Sequence, residues 1–188
     1  MTPHIERADD GLLLYWRDPG TGGEHVLAPN LPGGVQGMSV TATKDGTLWM
    51  LGVDWLELGH TERAYAVLVS RDGGRSWEST TFPVEPGGDP YRNGALLAAA
   101  DQTTAYLAYH RVDESGAEGW LYRTRDGGAT WEQVTYWPND GTLADLWVNP
   151  DGTLVALSDG GVIATSDDQG GRFEVITDVP VTPPSPAR

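Results

Sequence analysis

Ser70-Arg71-Asp72-Gly73-Gly74-Arg75-Ser76-Trp77 recurs as Thr124-Arg125-Asp126-Gly127-Gly128-Ala129-Thr130-Trp131, and more loosely as Ser166-Asp167-Asp168-Gln169-Gly170-Gly171-Arg172-Phe173. The shared pattern is hydroxyl-x-Asp-x-Gly-x-x-aromatic. A degraded fourth trace, Trp16-Arg17-Asp18-Pro19-Gly20, keeps the aspartate. The four aspartates fall at 18, 72, 126 and 168, so the units are 54, 54 and 42 residues apart. A supersecondary unit repeated at that period marks an array of like modules.

The chemistry of the motif is that of a turn. Its carboxylate can accept hydrogen bonds from backbone N–H groups just downstream and from the preceding hydroxyl. Glycine two positions after the aspartate takes a positive φ without a Cβ clash. The closing aromatic starts the next strand and packs over the hairpin. Ser70, Asp72, Gly74 and Trp77 are therefore read as a structural clip. So are Thr124, Asp126, Gly128 and Trp131, and Ser166, Asp168, Gly170 and Phe173.

The surrounding sequence reads as strands. The chain has 188 residues, with 25 Gly and 13 Pro and 8 Trp, 7 Tyr and 2 Phe among 39% hydrophobic residues. Short apolar runs separated by turn signals, with no stripe of helical period, indicate all-β structure. The runs 47–51, 64–69, 104–109, 153–157 and 173–176 are strands, several apolar on both faces, as strands between stacked sheets are. Residues 37–54 and 94–111 align without a gap as strand, turn, strand. Asp45-Gly46-Thr47-Leu48 recurs as Asp151-Gly152-Thr153-Leu154 at the same turn. Each unit is thus strand A, turn, strand B, loop, strand C, aspartate turn, strand D.

The repeated motif resembles the Asp-box, or bacterial neuraminidase repeat, of the sialidase and sortilin-like β-propellers. The resemblance covers most of the chain. It implies propeller blades of four antiparallel strands, with the box between the third and fourth. Families sharing it differ widely in function, so it speaks to fold and not to activity. On this reading residues 1–36 hold an N-terminal hairpin or half blade, a lone C–D pair at 11–16 and 24–28. Blades follow at 38–83, 94–137 and 143–177, and 178–188 is a proline-rich tail with Pro180, Pro183, Pro184 and Pro186.

About three and a half blades are fewer than the four to eight that propellers use. Three arrangements remain open: a partial propeller continued by more chain, a composite ring closed by a homodimer, or a distorted ring of four blades. In such a ring the B–C and D–A loops share one end, where binding groups gather. The first B–C loop brings Asp54, Trp55, Glu57, His60 and Arg63. The second is read as a loop from 110 to 120, with His110, Arg111, Asp113 and Trp120. The D–A segments add Asp89, Tyr91, Arg92 and Trp137. Aromatic rings beside carboxylates and arginines suit a sugar or a protein surface.

The formal charge is −15, from 12 Lys and Arg against 27 Asp and Glu. That argues against nucleic acid as partner. No apolar run spans a bilayer, and no signal peptide is visible in 1–20, which leaves localisation open. Without cysteine there is no disulfide or thiolate chemistry, the four histidines have no metal-ligand spacing, and no cofactor motif is present. Arginine outnumbers lysine eleven to one, a bias of GC-rich bacterial genomes. The expected function is a non-catalytic recognition or assembly module that binds a protein or glycan through its B–C and D–A loops or its open blade faces. The alternative is a glycoside hydrolase working through paired loop carboxylates. The Arg-Ile-Pro element of sialidases is missing.

Overall fold

Alternating short strands and aspartate turns can bury their apolar faces only by stacking sheet on sheet. A computed structural model of the chain shows that arrangement. It describes residues 2–8, 11–17, 24–27, 35–54, 64–81, 94–113, 116–136 and 143–178, with side chains in 39–52, 65–80, 94–110, 118–134 and 143–176. All regular structure among them is β. An N-terminal sheet holds β1 (Thr2–Ala8), β2 (Gly11–Arg17) and β3 (Glu24–Leu27). Blade 1 holds β4 (Val35–Ala42), β5 (Leu48–Asp54), β6 (Ala64–Ser70) and β7 (Glu78–Thr81). Blade 2 holds β8 (Gly94–Ala99), β9 (Ala105–Asp113), β10 (Gly116–Thr124) and β11 (Glu132–Tyr136). Blade 3 holds β12 (Leu143–Val148), β13 (Leu154–Ser158), β14 (Val162–Ser166) and β15 (Glu174–Asp178). Each blade is an antiparallel sheet in chain order.

Two sequence expectations are corrected. The N-terminal segment is not a lone hairpin, because β1 pairs with β2 along its whole length. Polar Thr2-Pro3-His4 hides the strand from an apolar-run search, and Pro3 is tolerated because β1 is an edge strand. The second B–C connection is not a long loop. Residues 110–113 and 116–119 stay in register, from Gly119↔His110 to Gly116↔Asp113. The ladder simply runs on past the core, through glycines that look like turn signals.

Blades stack through their inner strands, β1 against β4, β4 against β8 and β8 against β12. Trp49, Leu51, Tyr65, Val67 and Val69 of blade 1 meet Ala95, Leu97, Leu107 and Tyr109 of blade 2. Tyr106, Ala108 and Leu121 on the other face of blade 2 meet Leu146, Leu154, Ala156 and Ala164 of blade 3. Polar ties cross the same seams. Trp49 Nε1 donates to the Asp101 carbonyl at 3.0 Å, and Trp131 Nε1 donates to Thr80 Oγ1 at 3.3 Å.

The aspartate turns are built as their chemistry requires. Ser70 Oγ accepts the Gly74 N–H at 2.7 Å and donates to Asp72 Oδ1 at 2.9 Å, while Ser76 N–H and Oγ–H reach the same carboxylate. Thr124, Asp126, Gly128 and Thr130 repeat the pattern. So do Ser166, Asp168 and Gly170. Gly128, at φ 91°, also touches blade 1, since a Cβ there would lie 2.7 Å from Thr80 Cγ2.

Candidate functional site

The strand order puts the B–C connections at one end of the stack. The A–B and aspartate turns lie at the other. Of the candidate residues at the first end, Trp55, Glu57, His60, Arg63, Asp89, Tyr91, Arg92 and Trp137 lie outside the described residues. Asp54 closes β5, and Arg111 and Asp113 continue β9 at that end.

His110 and Trp120 have described side chains. His110 sits opposite Gly94 on β8 and Gly119 on β10. A Cβ at Gly94 would overlap the imidazole, so the ring occupies the space that this glycine floor leaves open and is half-buried. Burial pushes the His110 pKa below its ordinary 6.5, while Asp159, in the turn joining β13 to β14 of the next blade, pulls the other way. A neutral imidazole offers one donor and one acceptor, which matches a hydroxyl or an amide. Trp120 stacks on Tyr109 with ring centroids 5.8 Å apart, and Tyr109 meets Tyr65 edge-on at 5.9 Å. One face of Trp120 is therefore taken by the core between blades 1 and 2. Tyr65 and Tyr109 were not among the candidates. They lie inside apolar strand runs, and only the stacking of two blades brings them beside Trp120.

At the opposite end the three A–B turns converge on a cavity of about 370 Å³, lined by Lys44, Asp101, Asn149, Pro150 and Asp151 among others. Lys44 Nζ reaches across from blade 1 to the Pro150 carbonyl of blade 3 at 3.1 Å. Asp45 Oδ2 accepts the Gln102 N–H of blade 2 at 3.1 Å. No candidate came from here, because a single Asp-Gly-Thr turn shows only its own hairpin.

The carboxylates at this end are committed to hydrogen bonds within their own turns. Asp45 is lowered by the Thr43 hydroxyl and the Thr47 N–H. Burial alone would raise Asp101, but bonds from Thr103 and Thr104 outweigh it. Asp151 is lowered by the Thr153 N–H. In the aspartate turns, Ser76 N–H and hydroxyl bring Asp72 down to about 2. Thr130 lowers Asp126, and Ser166 lowers Asp168. Among the described residues no group of three His, Asp or Glu is placed to hold a metal ion. No described helix is long and apolar enough to cross a membrane.

No protein-family model matches the chain. A xyloglucanase of a Paenibacillus species is 36% identical over 95 residues, which cover 50% of this chain and 9% of that protein. The chain thus spans about a tenth of the curated relatives it matches. The α-L-arabinanase of Penicillium chrysogenum, solved with arabinobiose, superposes with a TM-score of 0.56 at 12% identity, over 93% of this chain and 65% of that one. YCF48 bound to a peptide superposes with a TM-score of 0.53 at 16% identity, over 91% and 44%. At such identities the likeness defines the fold, and these sheets are part of a β-propeller.

Proposed function

We propose that the chain is a non-catalytic recognition or assembly module of Asp-box type, which takes a glycan or a protein segment on its B–C and D–A end. One observation carries the reading: the described candidate side chains at that end are an imidazole lodged over Gly94 and a tryptophan stacked on Tyr109, groups suited to hydrogen bonding and stacking. The half-buried His110 and Trp120 and the strand ends at Asp54, Arg111 and Asp113 suit hydroxyl or amide recognition. The neighbours named above are compatible with either ligand, since one was solved with arabinobiose and another with a peptide.

Glycoside hydrolysis is the second reading, favoured by the identity shared with the xyloglucanase. One pair of assays separates the two: retardation on immobilised xyloglucan and arabinan, and release of reducing ends from the same polymers. Retardation without release supports recognition. Release that is lost in Asp54→Asn or Asp113→Asn establishes hydrolysis instead.

A further inference from the structure

Four positions carry each blade onto the next. In blade 1 they are Trp49, Leu51, Val67 and Val69, which are 0–1% exposed and pack on blade 2. Pairing across β5 and β6 sets Trp49 opposite Val69 and Leu51 opposite Val67. In blade 2 the equivalent pairs are Tyr106 with Arg123 and Ala108 with Leu121, 1–8% exposed and facing blade 3. In blade 3 they are Val155 with Thr165 and Leu157 with Ile163. Opposed residues share a face, so this set includes Trp147, which pairs with Val155.

Here the burial thins. Val155 remains 4% exposed, but Leu157, Ile163 and Thr165 are only half-buried and Trp147 is 37% exposed. The other face of blade 3, through Leu146, Leu154, Ala156 and Ala164, is already spent on blade 2. At the far end of the stack β1 lies against β4, and among the described strands no comparable packing joins β1 to β12. Blade 3 therefore carries a face patterned like the two buried ones but less covered, and the N-terminal sheet stacks on blade 1 through β1.

We infer that this face takes the N-terminal sheet of a second copy, two chains closing head to tail into one ring. Each seam would continue the blade-to-blade interface already formed twice inside the chain. Two copies bring eight sheets, within the range that closed propellers use. A closed two-fold ring covers the outer sheet face of both stacks, where an unclosed head-to-tail contact would make fibres. Asp145 and Glu174 are the acidic residues on the face, and each chain carries a charge of −15, so added salt tightens the pair. The inference rests on the blade reading of the fold. It concerns the blade face and not the loop end, so its failure leaves the ligand assays above untouched.

Light scattering after size exclusion tests it on the whole chain. The expected mass is about 40 kDa, twice the 20.2 kDa of one chain, and 20 kDa at about 100 µM protein overturns the inference. Ile163→Asp is expected to give a monomer with unchanged β circular dichroism; a dimeric variant overturns the assignment of the face. Should that variant misfold, Leu157→Cys supplies the only thiol in the chain. Its maleimide labelling is expected to slow about tenfold between about 1 and 100 µM protein. A rate independent of concentration means that the face is not the seam.

Discussion

Arg123 Nη1 donates to the Gln169 carbonyl at 2.9 Å, fixing the outer part of blade 2 to the aspartate turn of blade 3. The Arg123 side chain is 10% exposed, and its guanidinium is oriented by Glu132, which accepts from Nη2 at 2.6 Å and Nε at 2.9 Å. Gln169 has φ 63°, where the other two turns carry Gly73 and Gly127. A left-handed non-glycine residue costs about 1–2 kcal/mol, and bonds from Arg123 to its carbonyl and from Arg125 to its side chain offset that cost.

Replacing Arg123 by Met is expected to destabilise the chain by about 2 kcal/mol, by leaving the Gln169 carbonyl without its donor. Arg123→Lys should recover little, since a point charge cannot span Glu132 and Gln169 as a planar fork does. Denaturant midpoints of the three proteins measure the difference. A fully restored midpoint in the lysine variant would show that charge alone suffices.

The glycines of two turns separate strain from contact. Gly152 has φ 92° with nothing within 4 Å of a built Cβ, whereas Gly128 has φ 91° with Thr80 Cγ2 at 2.7 Å. Gly152→Ala should cost about 1–2 kcal/mol from backbone conformation alone. Gly128→Ala should cost about 1–3 kcal/mol more, from overpacking the seam with blade 1. Equal losses would mean that Thr80 gives way.

The two tryptophans that close the turns should respond differently to removal of the ring N–H. Trp131 Nε1 reaches Thr80 Oγ1, but the buried Trp77 Nε1 has no hydrogen-bond partner. Both substitutions by Phe remove similar volume. Trp131→Phe should therefore lower stability by about 1 kcal/mol more than Trp77→Phe, read as a gap in melting temperature of about 2–4 °C.

Acid should unfasten the turns in a defined window. Asp72 is held near 2 by Ser76 N–H and hydroxyl, and Asp126 and Asp168 lie below the ordinary 3.8 through Thr130 and Ser166. A folded value below the unfolded one means that the contribution is complete above 3.8 and is lost as pH falls through the folded value. Asp72→Asn should lower the melting temperature at neutral pH and shrink the drop between neutral pH and about pH 3. A parallel downward shift of the whole profile would place the acid sensitivity elsewhere.

His110 carries the opposite chemistry with the same direction of loss. Its folded pKa lies below 6.5 through burial, so the unfolded chain binds the proton first, and stability declines as pH falls below 6.5. The imidazole resonance should titrate below the free value. Asp159→Asn should move it lower still, by removing the charge that opposes burial. An upward movement would mean that Asp159 is not the neighbour that matters.

The parts legible in sequence were those whose chemistry is local. A hydroxyl, an aspartate and a glycine at fixed offsets close a turn whatever surrounds them, so Asp72, Asp126 and Asp168 announced the turns and the apolar runs between them announced the strands. Features that depend on pairing partners were not legible. Residues 116–119 read as loop because Gly116 and Gly119 are turn formers in isolation, while in the sheet they face Asp113 and His110. Strand β1 was hidden for the reverse reason, its polar Thr2-Pro3-His4 being carried by the ladder to β2. The convergence of Lys44, Asp101 and Asp151 on one cavity needs three blades at set angles, which no single turn encodes. Only His110 and Trp120 of the loop-end candidates have described side chains, and the glycine floor under the imidazole requires β8 and β10 to be laid beside it.

Six turns, closed by Asp45, Asp72, Asp101, Asp126, Asp151 and Asp168, point the same way along the stack, and each carboxylate is kept ionised by the bonds that shape its hairpin. Lys44, Arg71, Arg75, Arg125 and Arg172 stand in or beside the same turns, so this end carries fixed charges of both signs at close spacing. The bonds that shape each turn are internal to its hairpin, and salt that screens charge between molecules should leave the turns closed.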